Sequence, residues 1–481
     1  MSDGLKKTMV NALKWSAVDR TLQQGVQFVI GIVLARLLCP ADYGLIGMIM
    51  IFAQIAYVMV ESGLGSALLR TKDITETHYN TMFITNLAIS VLMYLILFFA
   101  SPAIAAFFNQ PELIQIARIT FLAILFNAFY LVPYNHINRE MDYKSLAKVN
   151  FSSTIISGAI GITLAMGGYG VWALVAQQVC YHFFRMIAFY ILTRWKPSLL
   201  FSWKILRGYA SFSAHILGNT LLTVIFNNIY TFLLGKLYPV KQVGLYTQAN
   251  KMSETVNFTF ISILTSAYRM FSKINEQKER VARILRSMTQ KTSILFIPVI
   301  LVLAVVARPL FVALLGPQWE DSVIYFQLLC ISNIFTPMYQ LNVHALNALG
   351  LSRTTFYIEV IKKVMILASI GICLWLDYSI IYMLGLYAVI CWFTYFLSEI
   401  TIKAQLDITF IQQFTDVSAA LLTAVVLSIP CLLLDKVIGN VYMLFCTDVA
   451  ITVILYITIV WLFRRDIIDE IKNMVKGEIE K

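Results

Sequence analysis

The chain has 481 residues, 59% of them hydrophobic and 13% charged, with a mean hydropathy of +0.75. A typical soluble domain is about 45–50% apolar and about 25% charged, and single cores stop growing near about 250–300 residues. An ordinary cytosolic enzyme, a disordered chain and a disulfide-stapled secreted domain are excluded, which leaves a polytopic membrane protein. The net charge of +11 would suggest nucleic acid for a soluble protein. In a membrane protein it belongs to the cytoplasmic loops, and no nucleic-acid partner is expected.

A spanning helix needs about 20 mostly apolar residues. The hydropathy pattern predicts about fourteen, at 15–38, 43–67, 79–100, 113–134, 149–166, 171–192, 211–235, 244–268, 288–307, 321–346, 356–376, 380–402, 415–434 and 441–463. The N-terminal stretch lacks the apolar core of a signal peptide, so the first span is expected to stay in the mature protein. The even count puts both termini on one side. Segments on that side carry 28 Lys and Arg against 5 at the opposite ends, which places both termini in the cytoplasm. The outer loops 101–112 and 308–320 are too short to hold a domain. Two cytoplasmic segments are expected to be helical. One is 269–291, with Glu276–Arg280 and Glu279–Arg283 at i,i+4. The other is the amphipathic tail 464–481, with Ile467, Ile468, Ile471, Met474 and Val475 on one face. Both read as solvated connectors.

The chain repeats itself at an offset of 200. Leu22, Leu34, Arg36, Leu37, Gly44, Leu45, Ser62, Leu64, Ser66 and Ala67 align with Leu222, Leu234, Lys236, Leu237, Gly244, Leu245, Ser262, Leu264, Ser266 and Ala267. The copies start on helices 1 and 7, both odd, so they insert in the same direction. Parallel repeats are related by an axis along the membrane normal. The expected architecture is an all-α polytopic membrane protein: two six-helix lobes related by a pseudo-two-fold along the normal, plus two C-terminal helices. The divisions are 1–207, 208–402, 403–463 and the tail 464–481.

Polar groups at membrane depth must face protein or water. Ser16, Arg20, Gln23 and Gln27 share one face of helix 1, and Thr220, Thr223 and Asn227 share one face of helix 7. On helix 8, Gln248, Lys251, Thr255, Thr259, Ser262 and Ser266 form one stripe and Thr247, Asn250, Glu254 and Asn257 an adjacent one. These faces are candidates for the wall of a polar cavity. The competing reading, that such side chains only glue helices together, weighs evenly for Ser and Thr and less for Arg20 and Lys251. Lys251 and Glu254, at i,i+3, are placed to neutralise each other, and Asp19 stands beside Arg20. Glu61, Arg185, Glu359 and Glu399 lie nearer helix ends, from which long side chains reach water.

Enzymatic signatures are missing. There is no G-x-x-x-x-G-K-[ST] and no G-x-S-x-G. The five His lack metal spacing, and the seven Cys form no C-x-x-C pair and read as small buried hydrophobes. Gly167–Gly170 reads as a turn. A conduit without metal or cofactor is expected, not an enzyme.

Several stretches resemble the bacterial polysaccharide exporter family of the MOP flippase superfamily, in particular its lipopolysaccharide and colanic-acid-exporter-like branch. They are Lys14–Arg20 (KWSAVDR), Leu34–Leu45 (LARLLCPADYGL), Glu61–Leu69 (ESGLGSALL), Asn138–Lys144 (NREMDYK), Gly168–Val175 (GYGVWALV), Val243–Tyr246 (VGLY) and Leu315–Trp319 (LGPQW). The resemblance spans the first two thirds of the chain. It implies an inner-membrane flippase that moves a polyprenyl-diphosphate-linked oligosaccharide from the cytoplasmic to the periplasmic leaflet by alternating access. The partners it implies are that lipid-linked oligosaccharide, membrane lipid, a coupling ion and other polysaccharide assembly proteins. On this view Arg20 and Lys251 meet the diphosphate, and Gln23, Gln27, Asn227, Gln248 and Asn250 meet sugar hydroxyls. A cation-coupled small-molecule antiporter would instead put Glu254 in command. A membrane glycan polymerase or ligase would need outer loops larger than these.

Overall fold

The computed structural model describes residues 3–61, 65, 68, 71 and 73–463. No strand occurs among them. The helices are α1 (Asp3–Leu37), α2 (Pro40–Glu61), α3 (Glu76–Phe108), α4 (Leu113–Thr120), α5 (Leu122–Arg139), α6 (Tyr143–Met166), α7 (Val171–Thr193), α8 (Trp203–Leu237) and α9 (Val240–Ile274). They continue as α10 (Lys278–Val305), α11 (Ala307–Leu314), α12 (Val323–Asn333), α13 (Thr336–Ala348), α14 (Ser352–Trp375), α15 (Ile380–Leu406), α16 (Phe410–Leu434) and α17 (Val441–Phe463). A 3₁₀ turn, Pro317–Ser322, precedes α12.

Each predicted span that the described residues cover falls on helix. Ten helical stretches among the described residues are long and apolar enough to cross a membrane by length and composition. The helices at 171–193, 240–274 and 352–375 are long but more polar, and only Thr21–Leu37 of α1 is apolar. Those polar side chains need partners inside the protein, since lipid offers none. The segment 269–291, expected to be one helical connector, is interrupted. Helix α9 ends at Ile274 and α10 begins at Lys278, so Glu276 lies in the break and cannot pair with Arg280 along a helix. Arg280 instead donates to the Gln277 side chain at 3.4 Å. The tail 464–481 lies outside the described residues.

Local chemistry sets the helix ends. Thr409 and Gln412 bond reciprocally at the start of α16, a capping box that satisfies two orphan amides. Asp142 accepts from the Ser145 amide and hydroxyl at the start of α6. Between α6 and α7 the chain turns through Gly168 (φ 80°) and Gly170 (φ 55°), a backbone that favours residues without a Cβ.

The chain divides into two compact units, residues 1–247 and 248–481. In the first, α6 presents Ser153, Thr154, Ser157 and Gly158 on a buried face, and an added Cβ on Gly158 would overlap Ile30 of α1. Small residues let membrane helices approach this closely. Its apolar packing includes Tyr79, Met82, Phe83, Val132 and Trp195 in one cluster and Tyr130, Ile137, Leu146, Val149 and Phe189 in another. In the second unit, Leu264, Phe271, Val281, Leu285, Leu341, Leu346, Ile402 and Leu406 pack together. A smaller cluster joins Val302 and Val306 to Leu427 and Cys431.

The aligned turns meet within the first unit. An added Cβ on Gly44 would overlap the Val240 carbonyl, and one on Gly244 would overlap the Pro40 carbonyl and lie 3.0 Å from the Gly44 amide nitrogen. Residues 40 and 44 thus touch 244 and 240 reciprocally, the pattern a local two-fold produces. Gly44 and Gly244 therefore lie at the same end of their helices. The repeat positions 62, 64, 66 and 67 lie outside the described residues. Helix α8 joins the first unit because α2 and α3 pack on it: Phe232 meets Phe52, Phe107 and Phe108 with ring centroids 5.2–6.1 Å apart.

Candidate functional site

Among the described residues, the first unit holds a cation without an acidic partner. Arg185, on α7, donates through one terminal nitrogen to the Tyr130 hydroxyl at 3.0 Å. Its Nε is sealed from solvent and has no hydrogen-bond partner, and no ion pair to Arg185 occurs among the described residues. Rings surround it instead. The guanidinium carbon lies 4.6 Å from the Tyr130 centroid and 5.6–5.7 Å from those of Tyr134, Tyr181 and Phe189. The sequence allowed Arg185 to snorkel from a helix end. The cage overrules that, because α5 places two tyrosines against its head group.

Polar neighbours extend the cage. His182 uses both ring nitrogens, one toward the Tyr130 hydroxyl at 3.1 Å and one toward the Tyr57 hydroxyl at 3.3 Å. Gln23, an expected site residue on α1, donates to the Tyr181 hydroxyl at 3.1 Å. Asn150 donates to both carboxylate oxygens of Asp19 at 3.2–3.3 Å. Asp19 therefore has a partner on α6.

The chemistry follows from the donor inventory. A guanidinium has about five N–H donors, and only one is used here by the protein. A charge near the middle of a spanning helix costs about 2.5–3.5 kcal/mol on insertion scales. Ring faces offset part of that, at about 0.5–2 kcal/mol each, without consuming the N–H groups. The arrangement can hold an oxyanion on the free donors, beside aromatic and amide groups suited to sugar rings and hydroxyls.

The other expected residues are placed as follows. Arg20 lies on α1 with its side chain outside the described residues. Gln27 and Asn227 are exposed on α1 and α8, and next to Asn227, Asn228 donates to Gln54 at 2.7 Å. In the second unit, Gln248 is buried with its Oε1 unpartnered. Asn250 donates to Glu254 at 2.9 Å. Lys251 and Glu254 are both exposed and form no ion pair. The structure brings Gln23 to the Arg185 cage and groups Asn250 with Glu254.

The sequence did not single out Tyr57, Tyr130, Tyr134, Tyr181 or His182. A signal was present: Gln178, Tyr181, His182 and Arg185 stand at i, i+3, i+4 and i+7, one face of α7.

The second unit holds a buried acidic pair. Asp416, on α16, receives both Nε and Nη2 of Arg286 at 2.8–2.9 Å and the Gln290 amide. Glu399, on α15, is 5% exposed and accepts from Asn342 at 2.8 Å, but has no cation partner among the described residues. The Oε1 of Gln413, also buried, is unpartnered. These groups line a cavity of about 10 Å³, about the space one water needs. Arg286 is thus bonded to Asp416 and not to Glu399. The buried position of Glu399 also replaces its expected snorkelling.

The protein-family comparison matches residues 33–324 to the family described as polysaccharide biosynthesis protein. The chain is 27% identical over 333 residues to the succinoglycan biosynthesis transport protein ExoT of Rhizobium meliloti (strain 1021), covering 69% of this chain and 67% of the relative. It is 24% identical to the teichuronic acid biosynthesis protein TuaB of Bacillus subtilis (strain 168), covering 73% and 74%. Among solved structures, the lipid II flippase MurJ in an inward closed conformation superposes with a TM-score of 0.74 at 13% identity, covering 95% of this chain and all of that one.

Proposed function

The chain belongs to the polysaccharide biosynthesis protein family, and from that premise we propose that it is a flippase. It moves a polyprenyl-diphosphate-linked oligosaccharide from the cytoplasmic to the periplasmic leaflet by alternating access. The observation that carries this reading is the Arg185 cage. A cation held at membrane depth with unused donors is suited to an anion that arrives from outside the protein. The relatives' names, which concern transport and biosynthesis of polysaccharides, support the same substrate class. The fold likeness to a lipid II flippase supports a lipid-linked cargo.

The finer architecture is part of the proposal. Fourteen helices cross the membrane, with lobes at 1–207 and 208–402, helices 13 and 14 at 403–463, and both termini in the cytoplasm of an inner membrane. The reciprocal contact of Gly44 and Gly244 supports the pseudo-two-fold. Arg20 and Lys251 line the cavity with Gln23, Gln27, Asn227, Gln248, Asn250 and Glu254. In a background where Cys39 and Cys446 are Ser, a membrane-impermeant thiol reagent added outside should label Glu112→Cys and spare Arg283→Cys. The reverse pattern would overturn the orientation and the direction of transport.

For the coupling ion, we assign a proton to Glu399. A carboxyl buried without a bonded cation stabilises either a bound proton or a bound ion, and the cavity beside it has room for about one water. Arg286 and Asp416 face it as charged groups, with Tyr395, Asn342 and Gln413 around it. Glu399→Gln fixes the protonated shape. Flipping should slow about tenfold, with the residual rate indifferent to an uncoupler that slows the wild type. A wild-type rate with the wild-type uncoupler response would remove Glu399 from the coupling step.

The test of the function is a leaflet assay. Cells lacking their own flippase accumulate lipid-linked oligosaccharide inside, and this chain should restore its appearance outside with no change in glycan length. Restored drug tolerance without glycan movement would favour the antiporter. Altered glycan length would favour a polymerase.

A further inference from the structure

One groove in the first unit shares no lining residue with the Arg185 cage. It has a volume of about 670 Å³ and runs along α3 past Ile84, Leu87, Val91 and Leu95, with Leu199 closing one end. The α3 positions follow i, i+3, i+7 and i+11, one continuous apolar face. From Phe83 to Leu95 the groove is about 18 Å long at about 1.5 Å per residue. That is close to half of a hydrocarbon core of about 30 Å, the depth of one leaflet.

The segment that closes the groove is the connection between α7 and α8. It has no regular secondary structure and is pinned to the start of α3. The Ser198 amide donates to Asn80 at 2.6 Å, and the Ser202 amide donates to Thr81 at 3.0 Å. Leu199 is 96% exposed and Trp203 is 68% exposed, an arrangement that water disfavours and a membrane interface favours. Around them Arg194, Lys196, Lys204 and Arg207 are all exposed, and none is in an ion pair among the described residues. An apolar slot one leaflet deep therefore opens beside four unpaired cations.

We propose that this groove holds an acyl chain of an anionic phospholipid, with the headgroup phosphate on the Arg194–Arg207 cations. The slot length matches a chain confined to one leaflet, and the charge at its mouth matches an anionic headgroup. The polyprenyl substrate is not the occupant, since its diphosphate would then sit on this surface and not in the Arg185 cage.

Native mass spectrometry of the full chain tests this after reconstitution with phosphatidylglycerol or phosphatidylcholine. The wild type should retain at least one phosphatidylglycerol that survives detergent and exceeds phosphatidylcholine about tenfold. Ala88→Trp, on the groove wall, should lose that lipid. The pair Lys196→Ala, Lys204→Ala should lose the preference between headgroups while its helical content stays unchanged. Equal retention by Ala88→Trp, or equal retention of the two phospholipids by the wild type, overturns the proposal. Displacement of the bound phosphatidylglycerol by added polyprenyl diphosphate also overturns it, because the groove would then belong to the substrate's tail.

Discussion

Arg185→Ala should abolish flipping while the protein stays in the membrane at its normal level. The guanidinium spends one donor on Tyr130, and its Nε is free. Hydrogen bonds to a charged group contribute about 1.5–3 kcal/mol each. Losing one or two of them from the transport complex slows transport by about ten- to ten-thousandfold, at about 1.4 kcal/mol per factor of ten. Arg185→Lys keeps the charge but loses the planar fork, so it should restore part of the rate. Tyr130→Phe removes only the hydroxyl and leaves the ring, and should cost less than tenfold. A bracing role predicts the opposite order. In that case Ala and Lys variants would lower the melting temperature, and flipping per folded molecule would stay at the wild-type value. The Arg20→Ala, Lys251→Ala double variant offers a comparison from the two helices first selected. If it loses flipping and Arg185→Ala does not, the anion site moves to those residues.

The contrast between Arg20 and Arg185 shows what sequence patterns reveal. Helix placement was readable because apolar runs of about 20 residues have few alternatives. The polar faces of α1, α8 and α9 were readable because they recur at helical spacing. The cage was not, because a cage is a tertiary object. Tyr130 and Tyr134 come from α5, Tyr181 from α7 and Tyr57 from α2, and no spacing along one helix announces their convergence. Glu399 was missed for a related reason. Its distance from the helix end suggested access to water, yet α13 and α16 bury it with Asn342 and Gln413. Position along a span predicts depth, whereas burial depends on which neighbouring helices cover that turn.

Gly244→Val should block transport more severely than any substitution on a polar face, and the cause lies in backbone geometry. At this site even a Cβ would overlap the Pro40 carbonyl, with the Gly44 amide nitrogen 3.0 Å away. The obstacle is main chain, which cannot rotate aside as a long side chain would. Overpacking in a tight core costs about 1–3 kcal/mol, and here relief requires the starts of α2 and α9 to separate. The same holds at Gly44, where the Val240 carbonyl is the obstacle. Gly47 is tight against the Thr247 hydroxyl at 2.7 Å and should be more forgiving, because a threonine side chain can turn. If the closed turn is one end state of an alternating cycle, Val at 44 or 244 removes that state and stops the cycle while leaving each helix intact. Full flipping by Gly244→Val would show that this contact is dispensable throughout transport. The moving parts would then have to be sought away from the repeat's shared turn.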